Sequence, residues 1–140
     1  MTSDSFTPKR LTRRYTQTID AAPERVFPLL CPVREAEWLD GWRYRMLHSE
    51  SGLVEKGAVF STPGAGEPDT LWVVTRHDPA SRLVEFTRFT PGSRVCVLRV
   101  GVRPADPAGS SVDITYMYTS TSPAGNRFID AFTERRFSMP

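Results

Sequence analysis

Residues Ser122 to Pro140 read SPAGNRFIDAFTERRFSMP, and the fold turns on how this stretch is read. Asn126 to Arg135 carry one amphipathic pattern. Phe128, Ile129 and Phe132 fall on a stripe at i, i+1 and i+4, with Arg127, Asp130 and Glu134 opposite. Pro123 after Ser122 suits the start of a helix. Between Trp42 and Thr119 the chain instead reads as strands and turns. Half-buried strands must bury one face against another element, and this helix is the only convincing candidate.

Working outward from the helix, six strands are expected. Trp42, Tyr44, Met46 and His48 alternate with Arg43, Arg45 and Leu47, and Ser51-Gly52 turns the chain towards Gly57 to Thr62. Thr70 to His77, Arg82 to Phe89, Arg94 to Arg103 and Ser111 to Thr119 follow, each with period-two patterning or a β-branched run. Their connections are too short for crossovers, so the sheet is antiparallel. Before them, Arg14 to Asp20 alternates as a first strand. Asp20 as a cap and Pro23 in the first turn then open a short helix, which Pro28 stops or kinks. A second short helix spans Val33 to Leu39. Residues 1–13 form a flexible N-terminal arm and 14–140 a single domain.

Composition excludes several classes. The 18 basic and 16 acidic residues are too balanced for a nucleic-acid surface, and the Lys9, Arg10, Arg13, Arg14 cluster reads as a solvated arm. Cys31 and Cys96 are the only cysteines, too far apart in sequence for a metal-ligand motif, and read as reduced thiols. No run reaches the ~18 apolar residues of a membrane span, and Met1 to Tyr15 lacks the apolar core of a secretion signal. A cytoplasmic protein with no metal, no cofactor, no nucleic acid and no membrane insertion is the expectation.

The order of elements, together with Pro32 to Trp38, Gly41-Trp42, Ser51-Gly52, Gly57 to Phe60, Trp72-Val73-Val74 and Gly125-Asn126, resembles the START-like or helix-grip superfamily (SRPBCC) over roughly Arg14 to Arg136. It is similar to a bacterial branch of unassigned function. The resemblance implies an α+β helix-grip fold, in which a curved seven-stranded antiparallel sheet surrounds a C-terminal helix and two small helices follow strand 1. Such proteins include lipid carriers, hormone receptors, polyketide cyclases and activators of chaperone ATPases. Their last helix usually runs further than this one. The cavity is therefore expected to open near Phe137, unless a second copy covers it in a homodimer or the chain continues beyond Pro140.

Large residues gather on the expected inner faces: Trp42, Tyr44, Phe60, Phe86, Tyr116, Tyr118, Phe128 and Phe132. Ordinary core packing accounts for such a set, yet a sheet curved around a helix commonly leaves a concave apolar site, typically above ~300 Å³. Trp72 shares parity with Arg76, which argues that it points outward. His48 has inward parity, while His77 precedes Asp78-Pro79 in an expected exposed turn. Arg88 shares parity with Val84 and Phe86. It either anchors a carboxylate or phenolate or, the reading preferred on sequence, reaches solvent at the strand end. Glu35 and Glu37 beside Trp38 read as ion-pair partners of Arg34 and Arg43 before they read as proton carriers.

Three functions compete. The first is binding of a small apolar or aromatic ligand between sheet and helix, oriented by the tyrosines, Arg88 and His48. The second is a polyketide cyclase or dehydratase-like enzyme in which Tyr44, His48 or Glu37 moves protons. The third is a protein-interaction module of the chaperone-activator kind. No catalytic residue is assigned, because no nucleophile motif stands in the sequence.

Overall fold

The alternating stretches hydrogen-bond into one antiparallel sheet in the order β1-β7-β6-β5-β4-β3-β2. The strands are β1 (Arg10–Ile19), β2 (Arg45–His48), β3 (Val59–Thr62), β4 (Thr70–Asp78), β5 (Leu83–Thr90), β6 (Arg94–Ala105) and β7 (Gly109–Ser120). The computed structural model describes residues 6–30 and 43–134. Strands β2 to β7 run as a meander, and β1 closes on β7 from Arg10↔Thr119 to Ile19↔Ser110. The seven strands and the closing helix are the helix-grip α+β fold. The expected second short helix, with Trp42, Cys31, Glu35, Glu37, Trp38 and Phe137, lies outside the described residues.

Strand β1 begins at Arg10, earlier than the expected Arg14, because its partner strand is long enough to pair with it there. Residues before it are tied to the end of the fold. The Lys9 N–H donates to Ser120 Oγ at 2.8 Å, Asn126 Nδ2 donates to the Thr7 carbonyl at 3.1 Å, and Lys9 Nζ meets Asp130 at 2.6 Å.

Helix α1 (Pro23–Val26) is capped by Ala22 rather than Asp20, and Pro23 occupies its first turn as expected. Pro28 has no N–H to continue an α-helix, so the chain tightens into a 3₁₀ turn at Phe27–Leu29. Helix α2 (Pro123–Glu134) starts at Ser122, whose Oγ accepts the Gly125 N–H at 3.1 Å. Ile129 and Phe132 are buried and Phe128 half-buried, while Arg127 and Asp130 face solvent, as the stripe requires.

Two β-bulges change which side chains face inward. Between Met46↔Phe60 and His48↔Val59 the register slips by one, so His48 is exposed instead of inward. Between Val74↔Phe86 and Arg76↔Glu85 the same slip uncouples Trp72 from Arg76. Trp72 and Val74 are therefore buried while Arg76 is exposed, the reverse of the parity reading for Trp72. The slip also turns His77 inward, and its ring stacks on Phe27 at 5.7 Å rather than standing in an exposed turn.

The core is divided. A larger cluster includes Val26, Phe27, Phe60, Trp72, Val74, Phe86, Leu98 and Val112, with Tyr44 and Tyr116 packed against it. A smaller one under α2 holds Cys96, Tyr118, Ile129 and Phe132, flanked by Leu11, Tyr116 and Phe128. Helix α2 packs against β7 and β1, so it grips one end of the concave face, and the turn at Val26 and Phe27 packs into the larger cluster at the other.

On the outer face, Arg99 holds Glu85 at 2.8 Å and Thr75 Oγ1 donates to the same carboxylate at 2.8 Å. The Arg99 bonds, with Thr75, keep the Glu85 carboxyl below its usual range against the opposing effect of burial. A depressed carboxyl stabilises the fold above its unfolded-state pKa and loses that contribution as pH falls through the folded value. Arg99 is half exposed, so screening reduces the effect. Glu85→Gln is expected to cost about 0.5–1 kcal/mol at neutral pH and nothing well below the carboxylate range. Urea melts of both proteins at the two pH values check this, and a cost that persists in acid contradicts it.

Candidate functional site

Strand register sets one inward-facing row straight across the sheet. Phe60 pairs with Trp72, Trp72 with Arg88, Arg88 with Cys96 and Cys96 with Tyr118. The sequence places a guanidinium in the middle of an otherwise apolar row. Arg88 therefore points inward, and the solvent-reaching alternative does not hold. Its Nη2 donates to Tyr118 Oη at 2.9 Å and lies 3.5 Å from Cys96 Sγ. Its Cζ stands 4.9 Å from the Trp72 ring centroid, 5.7 Å from Tyr116 and 5.8 Å from Tyr118.

Burial works against the Arg88 charge, but neighbouring Cys96 and Tyr118 outweigh it and hold the group above its ordinary value. Arginine stays charged in any case. Cation–π contact offsets desolvation by about 0.5–2 kcal/mol per ring. Burial pushes the Tyr118 phenol up, with Arg88 pulling the other way, so its hydroxyl keeps its proton at neutral pH. Phe128 and Phe132 of α2 hold the Tyr118 ring at 5.5 and 5.2 Å.

The next row is polar. Trp72 Nε1 donates to Thr62 Oγ1 at 3.0 Å, and the hydroxyls of Thr70 and Thr90 bond each other at 2.8 Å. Arg94 donates to both carboxylate oxygens of Glu67 at 3.1 Å and lies over the Phe128 ring at 3.6 Å. It thereby ties the β3–β4 loop to α2. These two rows line a hollow of about 140 Å³, smaller than the ~300 Å³ expected of a ligand site from the sequence.

The expected residues thus separate. Arg88 and Tyr118 line the hollow, with Tyr116, Phe128 and Phe132 behind them. Tyr44, Phe60 and Phe86 belong to the larger core cluster. His48 is on the outside, which removes one proton carrier from the cyclase-like alternative. Trp42 is outside the described residues. Reasoning from sequence passed over Trp72, Cys96, Arg94 and the three threonines. Even spacing of Thr90 from Arg88, and of Arg94 from Cys96, could have placed three of these, Thr90, Arg94 and Cys96, on the inner face.

A second hollow of about 230 Å³ lies by the 3₁₀ turn, lined by Phe27, Leu30, Leu53, Val54 and His77 among others. Its one titratable group is His77, already stacked on Phe27. Binding sites combine apolar walls with a few convergent polar groups; the Arg88 hollow has the convergent polar groups, and the hollow by the 3₁₀ turn has the more apolar walls. Among the described residues no three His, Cys, Asp or Glu side chains converge as a metal site, and no helix is long and apolar enough to cross a membrane.

No protein-family model matches the chain, and no curated protein matches it. Solved structures do. Norcoclaurine synthase from Thalictrum flavum, in complex with dopamine and hydroxybenzaldehyde, superimposes with a TM-score of 0.68 at 11% identity, over 89% of this chain and 78% of that one. Ara h 8.0201 gives a TM-score of 0.64 at 14% identity, covering 90% and 91%. Mll3558 from Rhizobium loti gives 0.63 at 14%, covering 91% and 92%. At such identities the likeness is one of fold. The chain has the helix-grip fold, with a charged hollow on its concave face lined by Trp72, Tyr118 and three threonines.

Proposed function

We propose that the protein binds a small apolar or aromatic molecule in the hollow on the concave face of the sheet, beside α2. One observation carries this reading: a single arginine stands in the middle of an inward-facing aromatic row, held by rings and a tyrosine hydroxyl. Polar contacts to Arg88 and Tyr118 supply most of the affinity, because the accessible wall of the hollow is mainly polar, and the Trp72 ring adds apolar contact. Arg88 and Tyr118 orient the ligand. That the norcoclaurine synthase structure holds dopamine and hydroxybenzaldehyde, both small aromatic molecules, agrees with a ligand of this class.

Ligand-detected NMR with toluene, phenol and benzoate tests the reading. Saturation transfer to at least one of them is expected, reduced severalfold by Trp72→Ala. Absence of transfer to all three contradicts it. The interaction-module alternative keeps one observation, the exposed Leu71, Val73 and Phe89 on neighbouring outer positions of β4 and β5. Concentration-dependent sedimentation abolished by Phe89→Ser would favour that reading, with a second copy as the partner.

A further inference from the structure

Resting on that reading of the hollow, we propose that its ligand is an anion, specifically a single-ring aromatic carboxylate, with the carboxylate on Arg88 and the ring against Trp72 and Tyr118.

The charge count points this way. Of the two guanidiniums lining the hollow, Arg94 is already matched by the two oxygens of Glu67. Arg88 has no carboxylate partner among the described residues; its contacts are a phenol, a thiol and three aromatic faces. Rings, a thiol and one hydroxyl hold this charge in place, and none of them carries a negative charge to neutralise it. One positive charge in the hollow is therefore left to a ligand.

Donor geometry selects the kind of anion. A guanidinium carries five N–H groups in a planar fork. Those of Arg88 Nη2 point to Tyr118 and Cys96, and Nε and Nη1 have no acceptor among the described residues. Two parallel donors suit the two oxygens of a carboxylate, where a phenolate offers one. Tyr118 accepts from Arg88, so its own O–H is left to donate to the same anion. Size sets the rest. A cavity of ~150 Å³ holds one benzene, and this one is about 140 Å³. It takes one ring with a compact substituent.

Calorimetric titration at fixed ionic strength compares sodium benzoate with benzamide, its neutral counterpart of nearly equal shape. The intact protein is expected to favour benzoate by about tenfold or more, as a charge-assisted pair warrants. Arg88→Met should erase that preference, bringing benzoate and benzamide to within about threefold of each other. Arg99→Met, on the outer face of the sheet, should leave the preference in place. Arg88→Lys keeps the charge without the fork, covers the case of a misfolded Arg88→Met, and should reduce the preference severalfold. Equal affinities in the intact protein, or a preference unaffected by either Arg88 change, overturn the anion assignment and leave the hollow as a neutral-ligand site. Failure of benzoate, benzamide and toluene alike overturns the reading of the hollow itself.

Discussion

Phe60→Ala is expected to lower the unfolding free energy by about 4 kcal/mol, the upper part of the range for emptying a buried aromatic site. Phe60 is 1% exposed, stacks on Trp72 at 5.1 Å, and meets Phe86 and Tyr44 edge-on at 6.2 and 6.4 Å. Its neighbours cannot close the gap. Trp72 is fixed by its indole bond to Thr62, and Phe86 by pairing on both sides with β4 and β6. For a chain of this length the loss corresponds to a melting temperature about 12 °C lower. Phe60→Leu keeps most of the volume and should cost about 1.5 kcal/mol or less. Thermal and urea melts read both. A cost below about 1 kcal/mol for the alanine variant would mean that this aromatic stack does not hold the core.

Gly125→Ala is expected to cost about 3 kcal/mol, although alanine in a helix normally gains about 0.5–1 kcal/mol over glycine. Position decides the sign. A Cβ at residue 125 would overlap the Ser93 carbonyl oxygen and sit 2.9 Å from its carbon and 3.0 Å from Ser120 Cβ. That carbonyl cannot swing aside, because it accepts the Thr121 N–H at 2.7 Å while the Ser93 N–H bonds Thr90 at 3.1 Å. Helix α2 must lift instead, drawing Phe128 and Phe132 away from Tyr118. The variant should therefore lose stability and aromatic-probe affinity together. Lowered stability with unchanged affinity would detach α2 from the binding site.

The fold was legible because it rests on period and punctuation. The alternation of Cys96, Leu98, Val100 and Val102, the short connections and the Phe128-Ile129-Phe132 stripe suffice for an antiparallel sheet closed by a helix. The site was half legible. Parity put Arg88 inside, but its partners come from β4, β6 and β7, and only strand register brings Trp72, Cys96 and Tyr118 to it. Without those partners an inward arginine reads as too costly. Trp72, His48 and His77 failed for another reason. One extra residue in a strand reverses parity downstream, and nothing in the residues 46–48 or 74–76 marks the bulges there.

The central claim is the location of the ligand: against Trp72, Arg88 and Tyr118 on the concave face of the sheet. Intermolecular NOEs from bound benzoate in the intact protein test it most directly. Contacts from the benzoate ring protons to Trp72, Tyr118 and Cys96 are the expected result. Contacts to Leu30, Leu53 and Val54 would place the ligand in the hollow beside the 3₁₀ turn and contradict the account.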